Sequence, residues 1–162
     1  ADVTKKDFYK NILKKISTRF SRLDFLINLV GQFTGLKPLT HLSHKDWDKL
    51  IEINISFYWR IIKELEPLIR KSTKSKIIFI TNKSISKGKP YHNIFSISKG
   101  ATNSLINVLN EENKNLNINT FLIEAEKLNS GMSSSLKGNE KIDKSLLENT
   151  SSEIIRKCFN LK

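Results

Sequence analysis

Leu23-Asp-Phe-Leu-Ile-Asn-Leu-Val-Gly31 is a run of eight residues, six of them apolar, closed by a glycine. A short apolar run ended by Gly reads as a strand, Leu23–Val30, buried on both faces of a parallel sheet. Two similar runs follow, Lys-Ile-Ile-Phe-Ile-Thr-Asn at 76–82 and Ile-Asn-Thr-Phe-Leu-Ile-Glu-Ala at 118–125. The segments between them carry helical periodicity. In 45–71 one stripe runs Trp47, Leu50, Ile51, Asn54, Tyr58, Ile61, Ile62 and Leu65, with Ser43 or His44 at its start and Pro67 kinking its last turn. In 90–113, opened by Pro90, the inward positions are Ile94, Phe95, Ile97, Ala101, Leu105, Ile106 and Leu109. A helix at 4–20, capped by Thr4, precedes the first strand, and another at 149–160 closes the chain.

Strands alternating with helices imply right-handed crossovers and a parallel sheet covered on both faces. The expectation is one α/β domain over 1–162, a three-layer αβα unit of partial Rossmann-like type that lacks the first strands. Three strands leave two edges, and the edge on the side of the missing strands should be sticky.

The formal charge of +12 suggests anionic partners. However, only five of the 28 basic residues are arginine, the residue that phosphate and base recognition favours. The lysines are scattered, so solvated faces explain them and nucleic acid is disfavoured. No apolar run is long enough to span a membrane, and one cysteine, Cys158, makes no internal disulfide. A reducing cytoplasm is the expectation. His41, His44, Asp46 and Asp48 are close in sequence but supply no convincing three- or four-ligand set, so no metal is expected.

Several short matches fall in order along the chain. Asp2-Val3 precedes a helix; Asn28-Leu-Val-Gly31 follows a strand; Asn54 interrupts an apolar helix stripe; Phe95-Ser-Ile-Ser-Lys99 lies 13 residues after Asn82; Ser130-Gly-Met132 follows the last strand. Together they resemble residues of the short-chain dehydrogenase/reductase family from its third strand onward. The resemblance implies NAD or NADP as cofactor and the interconversion of a carbonyl and an alcohol. It implies catalytic positions at Asn54, Asn82, Phe95 and Lys99, and cofactor contacts at Asp2, Val3, Asn28, Gly31, Lys99 and Ser130. Residues 129–148 fall where the family has a flexible substrate loop.

The pattern departs from the family at the chemistry. Phe95 stands where the family has tyrosine, and Asn82 where it has serine. A phenyl ring has no proton to transfer. The nearest phenol in sequence, Tyr91, lies eight residues from Lys99, roughly 12 Å along a helix. The glycines at 31, 35, 88, 100, 131 and 138 make no Gly-rich dinucleotide turn, since Lys37 follows where a third glycine is required. Weak or lost cofactor binding is therefore expected, in a pseudoenzyme. Asn54 has a structural alternative, a bond to neighbouring backbone.

Two rival readings remain. One is a non-enzymatic module, either half of a split dehydrogenase awaiting a separate N-terminal half, or a homo-oligomer through the 45–71 and 90–113 helices. A second apolar strip on the first of these, Ile53, Ile55, Phe57 and Trp59, motivates the oligomer. The other is a basic anion-binding protein, which predicts steep salt dependence.

Overall fold

The computed structural model describes residues 2–81, 85, 87–124 and 144–160. Helix α1 (Lys6–Ser17) leads to strand β1 (Phe25–Asn28). A long helical segment follows as α2 (His44–Ile51), a π-helical turn (Glu52–Ser56) and α3 (Phe57–Ile69). Strand β2 (Ser75–Thr81), helix α4 (Asn93–Asn113), strand β3 (Ile118–Glu124) and helix α5 (Lys144–Phe159) complete it. The three strands are parallel in the order β1-β2-β3.

The layering follows from which side chains the strands alternate. On one face Ile77 and Phe79 of β2 and Ile118 of β3 pack with Tyr58, Ile61 and Leu65 of α3 and Ile106 of α4, while α1 adds Tyr9, Phe8 and Ile12. On the other face Ile78 and Ile123 meet Cys158 and Ile154 of α5. Each fully buried side chain of this kind contributes about 1.5–3 kcal/mol. The α/β, Rossmann-like, three-layer reading therefore holds.

Several boundaries differ from expectation, each for a local reason. The helix at the start spans 6–17 instead of 4–20. Thr4 does not cap it; its N–H and hydroxyl both donate to Asp2 Oδ1, at 2.9 and 2.7 Å. The first strand spans four residues, not eight, and is not buried on both faces. Asn28 Oδ1 accepts the Val30 N–H at 3.0 Å and turns the chain away, and β1 is an edge with Ile27 41% exposed. Residue 82 of the expected second strand lies outside the described residues. Pro90 lies in a turn before α4, because Tyr91 and Asn93 have φ of +64° and +39° and the Asn93 amide donates to Gly35 O and Lys37 O. Trp47 and Ile97 point outward. Pro67 sits inside α3, which runs on to Ile69, and α5 begins at Lys144, five residues early.

The second apolar strip is partly buried within the chain. Ile53 and Phe57 are buried within the chain, with Phe57 packed on Phe8 and Tyr9 of α1 at 6.1 Å between ring centroids. Trp59 alone of that strip is largely exposed. Helix α1 thus covers Phe57 of that strip.

Candidate functional site

The carboxyl ends of β1 and β2, the π turn and the first two turns of α4 converge on one polar cluster inside the apolar layer. Asn54 anchors it. Its stripe position turns the amide inward, where it is fully buried. Asn54 Oδ1 accepts the Gln32 N–H at 2.7 Å and its Nδ2 donates to Gln32 O at 2.8 Å. Both amide atoms have a backbone partner, as the structural alternative for this residue required. The bonds tie the long helix to the chain just after Gly31.

One turn later on the same face stands Tyr58, which the sequence reading placed only as a member of the apolar stripe. Its hydroxyl donates to Val30 O at 2.7 Å and lies 3.5 Å from Lys99 Nζ. Burial pushes the Tyr58 phenol up to about 12. The signal that finds it is its place four residues after Asn54, which puts both side chains on one helix face.

Lys99 is only 6% exposed. Its ammonium lies 5.1 Å from the Phe95 ring centroid and 5.9 Å from that of Tyr58. Burial pushes the amine down to about 8. The aromatic faces offset part of the cost of the buried cation. Phe95 itself packs on Phe33, at 5.3 Å between centroids, and Phe33 stacks on His92 at 5.7 Å. Phe95, Lys99, Asn54 and Tyr58 are thus one cluster. Tyr91 lies outside the helix and is exposed.

The remaining expected positions are dispersed. Asp2 is at the surface, and its hydrogen bonds from Thr4 hold its carboxyl below the usual range. Val3 lies against Phe8 and accepts the Tyr9 hydroxyl at 3.0 Å. Asn28 is buried with Nδ2 lacking a partner among the described residues. Gly31 opens the loop that Asn54 pins. Asn82, Ser130-Gly-Met132 and residues 129–143 of the expected loop lie outside the described residues.

A dinucleotide pyrophosphate requires several free backbone N–H groups at one helix start. The loop after Gly31 does not fit that need. The Gln32 N–H is taken by Asn54 and the Lys37 N–H by Tyr91 O at 3.0 Å. The Gly35 carbonyl is taken by Asn93. Nor, among the described residues, do three of His, Cys, Asp or Glu gather to hold a metal. No helix among them is long and apolar enough to cross a membrane.

Comparison with known proteins places this arrangement. A short-chain dehydrogenase family model described as enoyl-(acyl carrier protein) reductase matches residues 1–154, and the chain belongs to the short-chain dehydrogenase/reductase family. It is 33% identical to cyclopentanol dehydrogenase of Comamonas sp. over 101 residues, covering 62% of this chain and 40% of that one. It is 24% identical to a 3-oxoacyl-[acyl-carrier-protein] reductase of Thermotoga maritima over 98 residues, covering 60% and 39%. A crystal structure of a short-chain dehydrogenase from Salmonella enterica serovar Typhi superposes with a TM-score of 0.80 at 20% identity, covering 87% of this chain and 59% of that one. A Shigella flexneri relative solved with NADP gives 0.79 at the same identity and coverage. The chain thus spans less than half of the length of these curated relatives.

Proposed function

We propose that this chain carries the scaffold of an NAD(P)-dependent oxidoreductase without its proton-transfer chemistry. Family membership supplies the ancestral reaction, hydride exchange between a nicotinamide and a carbonyl or alcohol. Reduction of a carbonyl needs a proton as well as a hydride, and the position one turn before Lys99 is the phenyl ring of Phe95. That substitution carries the proposal. The surrounding groups support it. The phenol nearest Lys99, Tyr58, is 2% exposed and spends its proton on Val30 O. The Asn54 amide is fully buried, and both its nitrogen and its oxygen are engaged by the Gln32 backbone. Lys99 faces its own aromatic neighbours, so a ribose contact would require it to turn out of the core.

The test uses the chain and its Phe95→Tyr variant, each with NADH and NADPH and with cyclopentanone as a simple carbonyl. We expect no nucleotide oxidation above the protein-free rate from either, and no saturation in the micromolar range by calorimetry. Turnover by the unaltered chain sinks the proposal, because it shows that proton transfer does not need the hydroxyl that Phe95 lacks; turnover by Phe95→Tyr alone shows that one hydroxyl was all the site lacked. A second reading, a non-enzymatic interaction module, is favoured by the open edge of β1.

A further inference from the structure

Two lysines are buried in this chain, and they are provided for differently. The Lys76 ammonium donates to Cys158 O at 2.9 Å and to Lys157 O and Asn160 Oδ1. Three acceptors replace the water it has lost. Lys99 is buried almost as deeply, at 6% exposed. Among the described residues no carboxylate pairs with it and no carbonyl accepts from it. Its one polar neighbour there is the Tyr58 hydroxyl, at a long 3.5 Å. Its nitrogen otherwise faces the rings of Phe95 and Tyr58.

An amine so placed either carries a poorly solvated charge or gives up its proton. Burial favours the second course and pushes Lys99 down to about 8. At pH 7 roughly one folded chain in ten then holds the free amine, against about one in 2,500 for an ordinary lysine. The free amine keeps a lone pair on nitrogen, which attack on a carbonyl carbon requires.

The neighbours of Lys99 leave that lone pair available. Tyr58 gives its proton to Val30 O at 2.7 Å and so brings no charge to the amine. An ionisable side chain at position 95, one turn before Lys99, would pair with the ammonium and hold it protonated. The phenyl ring of Phe95 does not. Phe95 and Phe33 pack at 5.3 Å between centroids, and both are half-buried, so the aromatic layer beside the amine meets solvent on one side.

We propose that Lys99 is a nucleophile that captures small apolar aldehydes, aromatic ones best, as a reversible imine. The nitrogen lone pair bonds to the carbonyl carbon as the second C–O bond breaks. One N–H proton passes through solvent to the oxygen and makes it a hydroxyl. The second N–H proton and that hydroxyl leave as water, and a C=N bond remains. Nothing is oxidised or reduced, so no nucleotide takes part. A neutral imine suits a site that disfavours the charged amine, and an aldehyde ring packs on Phe95 and Phe33. The proposal rests on the setting of Lys99 and not on the absence of hydride transfer.

The experiment treats the folded chain at pH 7 with benzaldehyde and sodium cyanoborohydride, which reduces an imine to a stable benzyl-lysine. Peptide mass mapping gives the rate at each lysine. We expect Lys99 to be labelled at least tenfold faster than Lys10 and Lys14, which are exposed on α1. Phe95→Glu sets a carboxylate beside the amine and should slow labelling of Lys99 at least tenfold. Phe95→Gln, of the same shape without the charge, should slow it far less, with circular dichroism showing both variants folded. Labelling of Lys99 no faster than Lys10 in the parent chain overturns the proposal. So does labelling of Lys99 only after urea unfolds the chain, which means that the core seals the amine. Equal slowing by Phe95→Gln and Phe95→Glu overturns it too, because shape and not charge then governs the nitrogen. The assay contains no nucleotide, so none of these outcomes decides whether proton transfer is lost.

Discussion

At the scale of single residues, Lys99 shows what a buried, aromatic setting does to an ammonium. An ammonium buried among Phe95 and Tyr58 is disfavoured, so the folded amine is held at about 8 against an ordinary value of about 10.4. The folded chain then binds fewer protons than the unfolded chain between those values, and stability rises with pH across that window. The full difference is roughly 3 kcal/mol of destabilisation below pH 8. Tyr58 acts in the opposite sense but only above about pH 10, because its folded phenol is pushed up to about 12. Lys99→Met should therefore raise the thermal midpoint at pH 7 by several degrees and flatten its rise between pH 8 and 9.5, as differential scanning fluorimetry across that range would report. An unchanged pH profile in Lys99→Met refutes the buried-cation account. Sequence alone located Phe95, Asn54 and Lys99, because helical spacing and short matches identify positions. It missed Tyr58, because a tyrosine in an apolar stripe shows its ring and hides where its hydroxyl points.

At the scale of elements, the helices and strands were legible in order and direction, while their ends were not. Periodicity fixes where a face is buried, whereas ends are set by side chains reaching across the fold. Asn28 ends β1 by bonding Val30, and Asn93 delays α4 by holding two carbonyls of the preceding loop. The last helix shows the same principle. Lys76, in a run that reads as a buried strand, is itself buried, and its ammonium donates to Cys158 O at 2.9 Å and to Lys157 O and Asn160 Oδ1. It supplies the positive end that the C-terminus of α5 favours and fills carbonyls that lack helical partners. Lys76→Met should leave these carbonyls unpaired, cost about 1–3 kcal/mol, and speed amide exchange in α5 before any other element. Uniform loss of protection across the sheet instead would place Lys76 in the general core and not at a helix terminus.

At the scale of the whole molecule, one sheet with one guarded and one open edge limits how many strands it can accept. Alternation of strand and helix made the sheet legible from sequence, but no pattern announced that Asn110 would guard Thr120, since an asparagine on a solvated helix turn has many ordinary uses. The guard has a consequence for association. With the outward N–H and C=O groups of Thr120 taken by the Asn110 amide, strand addition at β3 should be disfavoured. Asn110→Ala removes the plug with little cost to α4, because alanine is the better helix former and the freed Thr120 groups lie at an edge that water can reach. The variant then has two open edges on opposite sides of one sheet. Head-to-tail pairing between two different edges does not close on itself and extends into fibres. Asn110→Ala should therefore remain folded by circular dichroism yet scatter light increasingly with concentration and time, at concentrations where the parent chain stays small. Adding Ile27→Lys to it should abolish the growth by closing the other edge. Growth that persists in the double variant, or its absence in Asn110→Ala, would show that the amide of Asn110 holds its loop in place without guarding the sheet.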